Sequence, residues 1–291
     1  MRRSVSESLA KDDIDLGSED EAIRTAEHQD HPNPIDSRNL IPSKNDDEDL
    51  SDLFQKVLKL EDTRDFCKPR RWPSQLSHEQ SQVVEQLLNK SRATIDLPGA
   101  SCTVEDLSRL KPNRWLNDEL INFYGIMINL RSRNYHQNPK FHNVHCFSSF
   151  FMTRFDADGY QAVQRWTKKF NLFEKDLIIF PINIKNSHWI CGVINLKMKR
   201  FEVLDSFGFK HLGILKKLRS YLMAESKSEM DLSEWIDYNH PEIPTQDNAY
   251  DCGVFVCIFM DCLSRNWGND QVIFDIEQKD LIYLRQKILY E

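Results

Sequence analysis

The spacing of hydrophobic and polar positions predicts several helices in the second part of the chain. Over residues 77–89, apolar residues recur at helical spacing, and Ser77 with Gln80 has the pattern of a capping box. Similar spacing predicts helices over residues 117–130 and 158–170. The last apolar stretch, residues 275–289, is expected to form a closing helix.

Short segments rich in β-branched and aromatic residues predict the strands of a sheet. Residues 176–183, 187–196 and 200–206 have this composition, and a short polar turn around 197–199 separates the last two. An edge strand is expected near residues 236–238. Strands mixed with helices in this order favour an α+β fold, with a short central mixed or antiparallel sheet flanked by helices.

Cys252 stands where a polar loop, residues 246–253, leads into a segment that is apolar on almost every side. The length of that segment predicts a buried helix, with Cys252 in its first turn. The N-terminus of a helix favours an anion, and a thiolate is the nucleophilic form of cysteine. The alternative is a cysteine that only packs, and this interpretation fits Cys257 and Cys262 inside the apolar segment.

His188 and Asp205 lie on the two strands of the predicted hairpin. They are directly opposite if the hairpin is centred between residues 196 and 197. Opposite residues have Cβ atoms about 4.5–5.5 Å apart, which lets a carboxylate accept from one imidazole nitrogen. The other nitrogen is then available to a thiol, provided that the register is not shifted.

These residues, taken in chain order, resemble those of a known family. His188-Trp189, Asp205-Ser206 and Gln246 with Asp251-Cys252-Gly253 are similar to the motifs of ubiquitin-like-protein-specific cysteine proteases, and most similar to those of the SUMO-specific (sentrin-specific) proteases. The resemblance extends from about residue 76 to the C-terminus. It implies a papain-like, adenain-like α+β fold.

The resemblance also implies roles for individual side chains. Cys252 would be the nucleophile, His188 the general base and later acid, and Asp205 the residue that orients His188. The side chain of Gln246, with the Cys252 backbone N–H, would form the oxyanion hole. Residues implied in binding the modifier or its tail are Trp115, Asp118, Phe150, Arg165 and Trp189.

The implied reaction is cleavage after the C-terminal Gly-Gly of SUMO. It would process the SUMO precursor and remove SUMO from lysines of conjugated proteins, without a metal or cofactor. Three alternatives remain open: a protease for another ubiquitin-like modifier, a bacterial-effector or viral relative with the same chemistry on other targets, and a non-catalytic SUMO-binding module. The last alternative would be favoured by a missing triad member, and all three residue types are present.

Charge is distributed unevenly along the chain of 291 residues. Residues 1–66 contain 18 acidic and 9 basic residues, while the remainder contains 27 and 29. We interpret residues 1–66 as a largely disordered acidic extension, and residues 74–291 as the catalytic domain. A near-neutral domain with an acidic extension does not indicate nucleic-acid binding.

Cysteine usage and hydropathy suggest where the protein works. The seven cysteines have no Cys-x-x-Cys pair and no zinc spacing, which is typical of reduced thiols in the cytosol or nucleus. No apolar run is long enough to span a membrane, and no signal peptide is recognised. We expect a monomer located in the nucleus, with the nuclear envelope or the cytoplasm as alternatives.

Overall fold

The computed structural model of the chain describes residues 72–90, 93–133, 136, 138–266, 272 and 274–291. The predicted acidic extension, residues 1–66, lies outside this part. The statements below therefore concern the region of the predicted catalytic domain.

A five-stranded mixed sheet lies at the centre of the fold, beside a separate two-stranded hairpin. The strands are β1 (Thr94–Leu97), β2 (Ala100–Thr103), β3 (Val144–Cys146), β4 (Leu177–Ile184), β5 (His188–Asn195), β6 (Arg200–Leu204) and β7 (Ile236–Tyr238). The large sheet has the order β3-β4-β5-β6-β7, with parallel pairs at its two edges and antiparallel pairs between them. The prediction of a short central sheet with an edge strand at residues 236–238 is confirmed.

Helices cover both faces of this sheet. They are α1 (His78–Leu88), α2 (Val104–Leu107), α3 (Asp118–Ser132), α4 (Phe150–Asp158), α5 (Tyr160–Val163), α6 (Leu212–Glu225), α7 (Cys252–Ser264) and α8 (Leu281–Tyr290). The capping box is present as predicted, because the Ser77 hydroxyl accepts from Gln80 N–H and the Gln80 side chain accepts from Ser77 N–H. Asn117 caps α3 through its side chain alone, which accepts from Leu120 N–H at 3.3 Å.

The central strand β5 separates two hydrophobic cores. Its alternating side chains place Trp189 and Val193 in the core formed with α3, α7 and α8. Ile190 and Ile194 lie in the other core, beside α6 and an aromatic cluster around Phe151. Helix α7 is buried along its whole length between α3 and β5. This burial fits its sequence, which is apolar on almost every side.

The helix predicted over residues 158–170 is wrong. Helix α4 already begins at Phe150 and ends at Asp158, because Gly159 has a φ of 70°, which is not helical. Helix α5 then ends at Val163, and the chain continues in turns to residue 169. In these turns the Thr167 hydroxyl donates to Glu225 at 2.6 Å, a tertiary contact that helical spacing cannot reveal.

The register of the central hairpin differs by two residues from direct pairing of His188 and Asp205. Asn195 pairs with Arg200 and Cys191 pairs with Leu204. Extended to its end, this register makes His188 and Asp205 diagonal neighbours on the same face of the sheet. Diagonal residues are about 7–8 Å apart, a distance that the two side chains can bridge.

Arg285 of α8 ties the C-terminal helix to the start of α7. Its guanidinium donates to Asp251 Oδ1 from Nε at 2.9 Å and from Nη2 at 2.7 Å. It also donates to backbone carbonyls of Arg109, Lys111, Arg114 and Tyr250. Both charged side chains are almost fully buried. One arginine therefore joins three segments next to Cys252.

We expect Arg285→Met to lower the free energy of unfolding by about 3–5 kcal/mol, because Asp251 would stay buried without its cationic partner. Urea denaturation at pH 7 measures this loss. The matched control is Arg154→Met, since Arg154 pairs with Asp158 at 3.5 Å on the surface. That change is expected to cost less than about 0.5 kcal/mol. Equal losses in the two variants would contradict the role given to Arg285.

Candidate active site

His188 and Asp205 are joined by a hydrogen bond at one end of the central sheet. His188 is the first residue of β5, and Asp205 directly follows β6. Imidazole Nε2 donates to Asp205 Oδ1 at 2.7 Å, and both side chains are buried. The expected pairing is therefore present, although the residues are diagonal rather than opposite. Nδ1 of the same ring is buried and has no hydrogen-bond partner in the described part of the chain.

The imidazole of His188 favours its charged form. Burial lowers the pKa of His188, but the hydrogen bond to Asp205 and the nearby Cys252 sulfur outweigh burial and raise it to about 9. Asp205 is bonded to Nε2, so the side of the ring that remains for the thiol is Nδ1. Cys252 and Asp205 therefore act on the two nitrogens of one imidazolium.

Asp205 is held by three donors. Oδ1 accepts from His188 and from the Phe207 backbone N–H at 2.8 Å, and Oδ2 accepts from His211 Nε2 at 2.7 Å. Burial raises the pKa of Asp205, but the bonds from His188 and His211 outweigh it and lower the pKa to about 2. The carboxylate is therefore ionised and fixed in orientation.

Cys252 is the first residue of α7, as expected from the sequence. Its side chain is buried beside His188, at the helix end where backbone N–H groups favour an anion. The other cysteines of this helix differ in environment. Burial raises the pKa of Cys262 to about 12 and that of Cys257 still further, so both remain neutral thiols that pack.

Gln246 lies in the loop before α7 and contacts Ser206, which directly follows Asp205 in the chain. Its backbone N–H donates to Ser206 O at 2.8 Å, and its Oε1 accepts from the Ser206 hydroxyl at 2.5 Å. Its Nε2 donates to the backbone carbonyl of Asn248. The side chain is buried and both ends of the amide are engaged within the loop.

Trp115 and Trp189 are connected through Leu116. The buried Trp189 donates from Nε1 to the Leu116 carbonyl at 3.1 Å, while the neighbouring Trp115 is 40% exposed. Leu116 also lies against Gly253, where an added Cβ would come within 2.9 Å of the Leu116 Cβ. The glycine after Cys252 thus lets α7 approach the segment that carries Trp115.

The three residues implied in binding the modifier surface are partly grouped. Asp118 begins α3 and accepts from the Ser149 hydroxyl at 2.9 Å, and the adjacent Phe150 is 51% exposed. Arg165 is exposed in the turns after α5 rather than on the predicted helix. The structure therefore joins Asp118 and Phe150 through Ser149, and among the described residues no hydrogen bond or ion pair links either of them to Arg165.

Two residues at this site were not recognised from the sequence. Phe207 has its ring centroid 4.7 Å from that of His188, yet 38% of the residue is exposed. His211 bonds to the second oxygen of Asp205. The sequence shows an aromatic residue and a histidine within six positions of Asp205. Nothing in their spacing indicates that both side chains turn back toward Asp205.

A model of the Ulp1 protease family, C-terminal catalytic domain, matches residues 114–291, which is more than half of the chain. The chain belongs to the Ulp1 protease family. Its α+β, papain-like fold is that of the family, as expected. Among curated relatives, Sentrin-specific protease 2 of Homo sapiens is 42% identical over 192 residues, which cover 64% of this chain and 31% of that protein. The chain thus spans about a third of the length of such relatives.

Solved structures of Ulp1 resemble this chain. One is the C-terminal Ulp1 protease domain in complex with Smt3, the yeast ortholog of SUMO, with a TM-score of 0.62 and 31% identity. The match covers 74% of this chain and 94% of the Ulp1 chain. The SUMO protease Ulp1 with its catalytic cysteine oxidised to a sulfonic acid also has a TM-score of 0.62 and 31% identity. This match covers 78% of this chain and 96% of the Ulp1 chain.

Over the described ranges, no group of three or more His, Cys, Asp or Glu side chains could hold a metal ion. None of the helices described is both long and apolar enough to cross a membrane.

We expect the His188 ring to titrate near pH 9, as followed by NMR of the imidazole. Asp205→Asn should lower this pKa, because the neutral amide no longer opposes the effect of burial. Since the pKa is raised in the fold, the contribution of the imidazolium to stability is complete below about pH 6.5 and is lost as pH rises through about 9.

The control for this titration is Glu234→Gln, which neutralises an exposed carboxylate paired with Lys199. This variant should leave the titration of His188 unchanged. A His188 pKa that is the same in Asp205→Asn and in wild type would contradict the assigned pairing.

Proposed function

We propose that this protein is a cysteine protease and isopeptidase that cleaves after the C-terminal Gly-Gly of SUMO. The observation that carries the proposal is the grouping of a thiol at a helix N-terminus, an imidazole and a buried carboxylate. Membership in the Ulp1 protease family and the likeness to a Ulp1–Smt3 complex support SUMO as the modifier. Its substrates are the SUMO precursor and SUMO-conjugated proteins.

The reaction follows from the charges of the three side chains. The Cys252 thiolate attacks the carbonyl carbon of the last glycine and forms a tetrahedral intermediate. Its collapse breaks the C–N bond, and the His188 imidazolium protonates the leaving amine. His188, now neutral, then takes a proton from water, which attacks the thioester and releases the SUMO carboxylate and the thiol.

Asp205 and Gln246 assist without forming bonds to the substrate carbon. Asp205 keeps the His188 ring oriented and stabilises its positive charge. The Gln246 amide and the Cys252 backbone N–H stabilise the oxyanion. For this role, Gln246 Nε2 exchanges its bond to the Asn248 carbonyl for the substrate oxygen.

Specificity is assigned to the tail and to a more distant surface. Trp115 and Trp189 enclose the C-terminal Gly-Gly tail of SUMO. Glycine fits between the two indole rings because it lacks a Cβ. Asp118, Phe150 and Arg165 contact the modifier; the exposed ring of Phe150 and the exposed cation of Arg165 are available for this. The reacting bond is common to all such modifiers, so selectivity depends on these contacts.

The proposal extends to the location and the oligomeric state of the protein. We place the protein in the nucleus, with the nuclear envelope or the cytoplasm as alternatives, and as a monomer. These statements rest on the resemblance to sentrin-specific proteases, and fractionation and light scattering test them.

The decisive test is labelling by SUMO that carries a thiol-reactive group at its C-terminus, compared with ubiquitin carrying the same group. We expect wild type to gain the mass of one SUMO and Cys252→Ser to gain none, because the hydroxyl is not activated in place of the thiolate. Cys257→Ala, which removes a packing thiol from the same helix, should retain labelling. Intact-protein mass spectrometry is the readout.

Other outcomes of this labelling identify other functions. An adduct with ubiquitin instead of SUMO would retain the chemistry and overturn the substrate. A folded protein that binds SUMO but forms no adduct would favour the non-catalytic binding module.

Gln246→Ala should lower kcat by about 10²–10³-fold with little change in KM, because an oxyanion donor acts in the transition state. Gln246→Glu is the matched variant, since it keeps the shape but replaces the donating amide with a carboxylate oxygen. Both variants are expected to lose activity to a similar extent on a SUMO precursor. Full activity in either one would refute the oxyanion role.

A further inference from the structure

His211 is a second histidine on the carboxylate of Asp205. Its Nε2 donates to Oδ2 at 2.7 Å, while His188 Nε2 donates to Oδ1 at the same distance. Asp205 is buried and only 14% of the His211 side chain is exposed. The carboxylate therefore has an imidazole on each oxygen, and the proposed reaction uses only one of them.

The fold directs the His211 side chain toward Asp205 rather than toward its own helix. His211 is the N-cap of α6, and its carbonyl accepts from the N–H groups of Ile214 and Leu215. Its side chain makes no capping hydrogen bond, although this position usually holds a residue that caps. The backbone of His211 is thus anchored by the helix, and its ring is available to the triad.

A tight turn after β6 makes this return possible. The Gly208 N–H donates to Asp205 O at 2.8 Å, and Gly208 has a φ of 76°, which favours glycine. The Phe207 N–H of the same turn donates to Asp205 Oδ1. The turn and the N-cap of α6 therefore supply two of the three donors to this carboxylate.

A carboxylate bonded on one oxygen only can rotate about its Cβ–Cγ bond. A donor on the second oxygen stops this rotation and keeps Oδ1 aimed at His188. Loss of orientation in such a triad lowers kcat more than it changes substrate binding.

We propose that His211 is a positioning residue that holds Asp205, through Oδ2, in the orientation required by His188. The inference rests on the proposed function for its kinetic readout. Its effect on Cys252 reactivity requires no SUMO substrate, because a well-oriented imidazolium stabilises the thiolate.

The test compares His211→Leu with His211→Gln in the full chain. Gln can donate from about the position of Nε2, whereas Leu cannot donate. We expect His211→Leu to lower kcat on a SUMO precursor by about tenfold, the effect of losing one hydrogen bond to a charged group, with KM within about twofold. His211→Gln should restore kcat to within about threefold of wild type. His211→Ala replaces His211→Leu if the latter does not fold.

The matched control is His240→Leu. His240 donates from Nε2 to the buried Glu202 at 2.6 Å, so this change also removes a histidine–carboxylate bond, but one outside the triad. Its kcat should stay within about twofold of wild type. A similar fall in kcat in His240→Leu and His211→Leu would overturn the positioning role, as would equal activity of the Leu and Gln variants at position 211.

Alkylation of Cys252 by iodoacetamide, followed by peptide mass spectrometry, separates this inference from the proposed function. Its rate should fall in His211→Leu and recover in His211→Gln. If wild type cleaves no SUMO substrate but this pattern is seen, the proposed function fails and the inference holds. If wild type is active and alkylation is unaffected in both variants, the inference is wrong and the proposed function holds.

Discussion

The ion pair between Asp251 and Arg285 is the interaction on which the geometry around Cys252 depends. Asp251 immediately precedes the cysteine. The Arg285 guanidinium joins Asp251 to the Arg114 carbonyl, in the segment just before Trp115. Gln278 and Asn248 donate to the other carboxylate oxygen of Asp251. The last helix of the chain therefore sets the position of the residue proposed to attack the substrate. A buried pair of this kind is stabilising only while every partner is present.

The same constraint applies to the other buried carboxylates. Asp205 accepts from two histidines and a backbone N–H, and Glu202, three residues earlier, accepts from Asn195, Arg200 and His240. Burial disfavours the anion in both cases, and the donors outweigh burial, so the pKa of each carboxylate is lowered. A site built in this way is rigid before substrate arrives, which is what electrostatic stabilisation of a transition state requires.

Much of the site could be predicted from the chain, for reasons that differ between residues. The position of Cys252 at a helix N-terminus could be predicted because the apolar run after it is long for a strand and is apolar on almost every side. His188 and Asp205 were paired correctly because a two-residue shift of the hairpin keeps side chains on the same face of the sheet. The helix over residues 158–170 was wrong because Gly159 and the contact between Thr167 and Glu225 override local spacing. The catalytic and substrate-binding roles remain predictions.

The sequence by itself determined the α+β pattern, the strands β4 to β7 of the central sheet, the capping box at Ser77 and the family resemblance. These features depend on local periodicity and on motifs of neighbouring residues, which the order of amino acids contains directly. Only the tertiary structure decided the hairpin register, the reach of Arg285 across the domain and the return of His211 to Asp205. Such contacts join residues that a turn or a distant helix brings together, and their free energy depends on burial and on exact distances that no local pattern encodes.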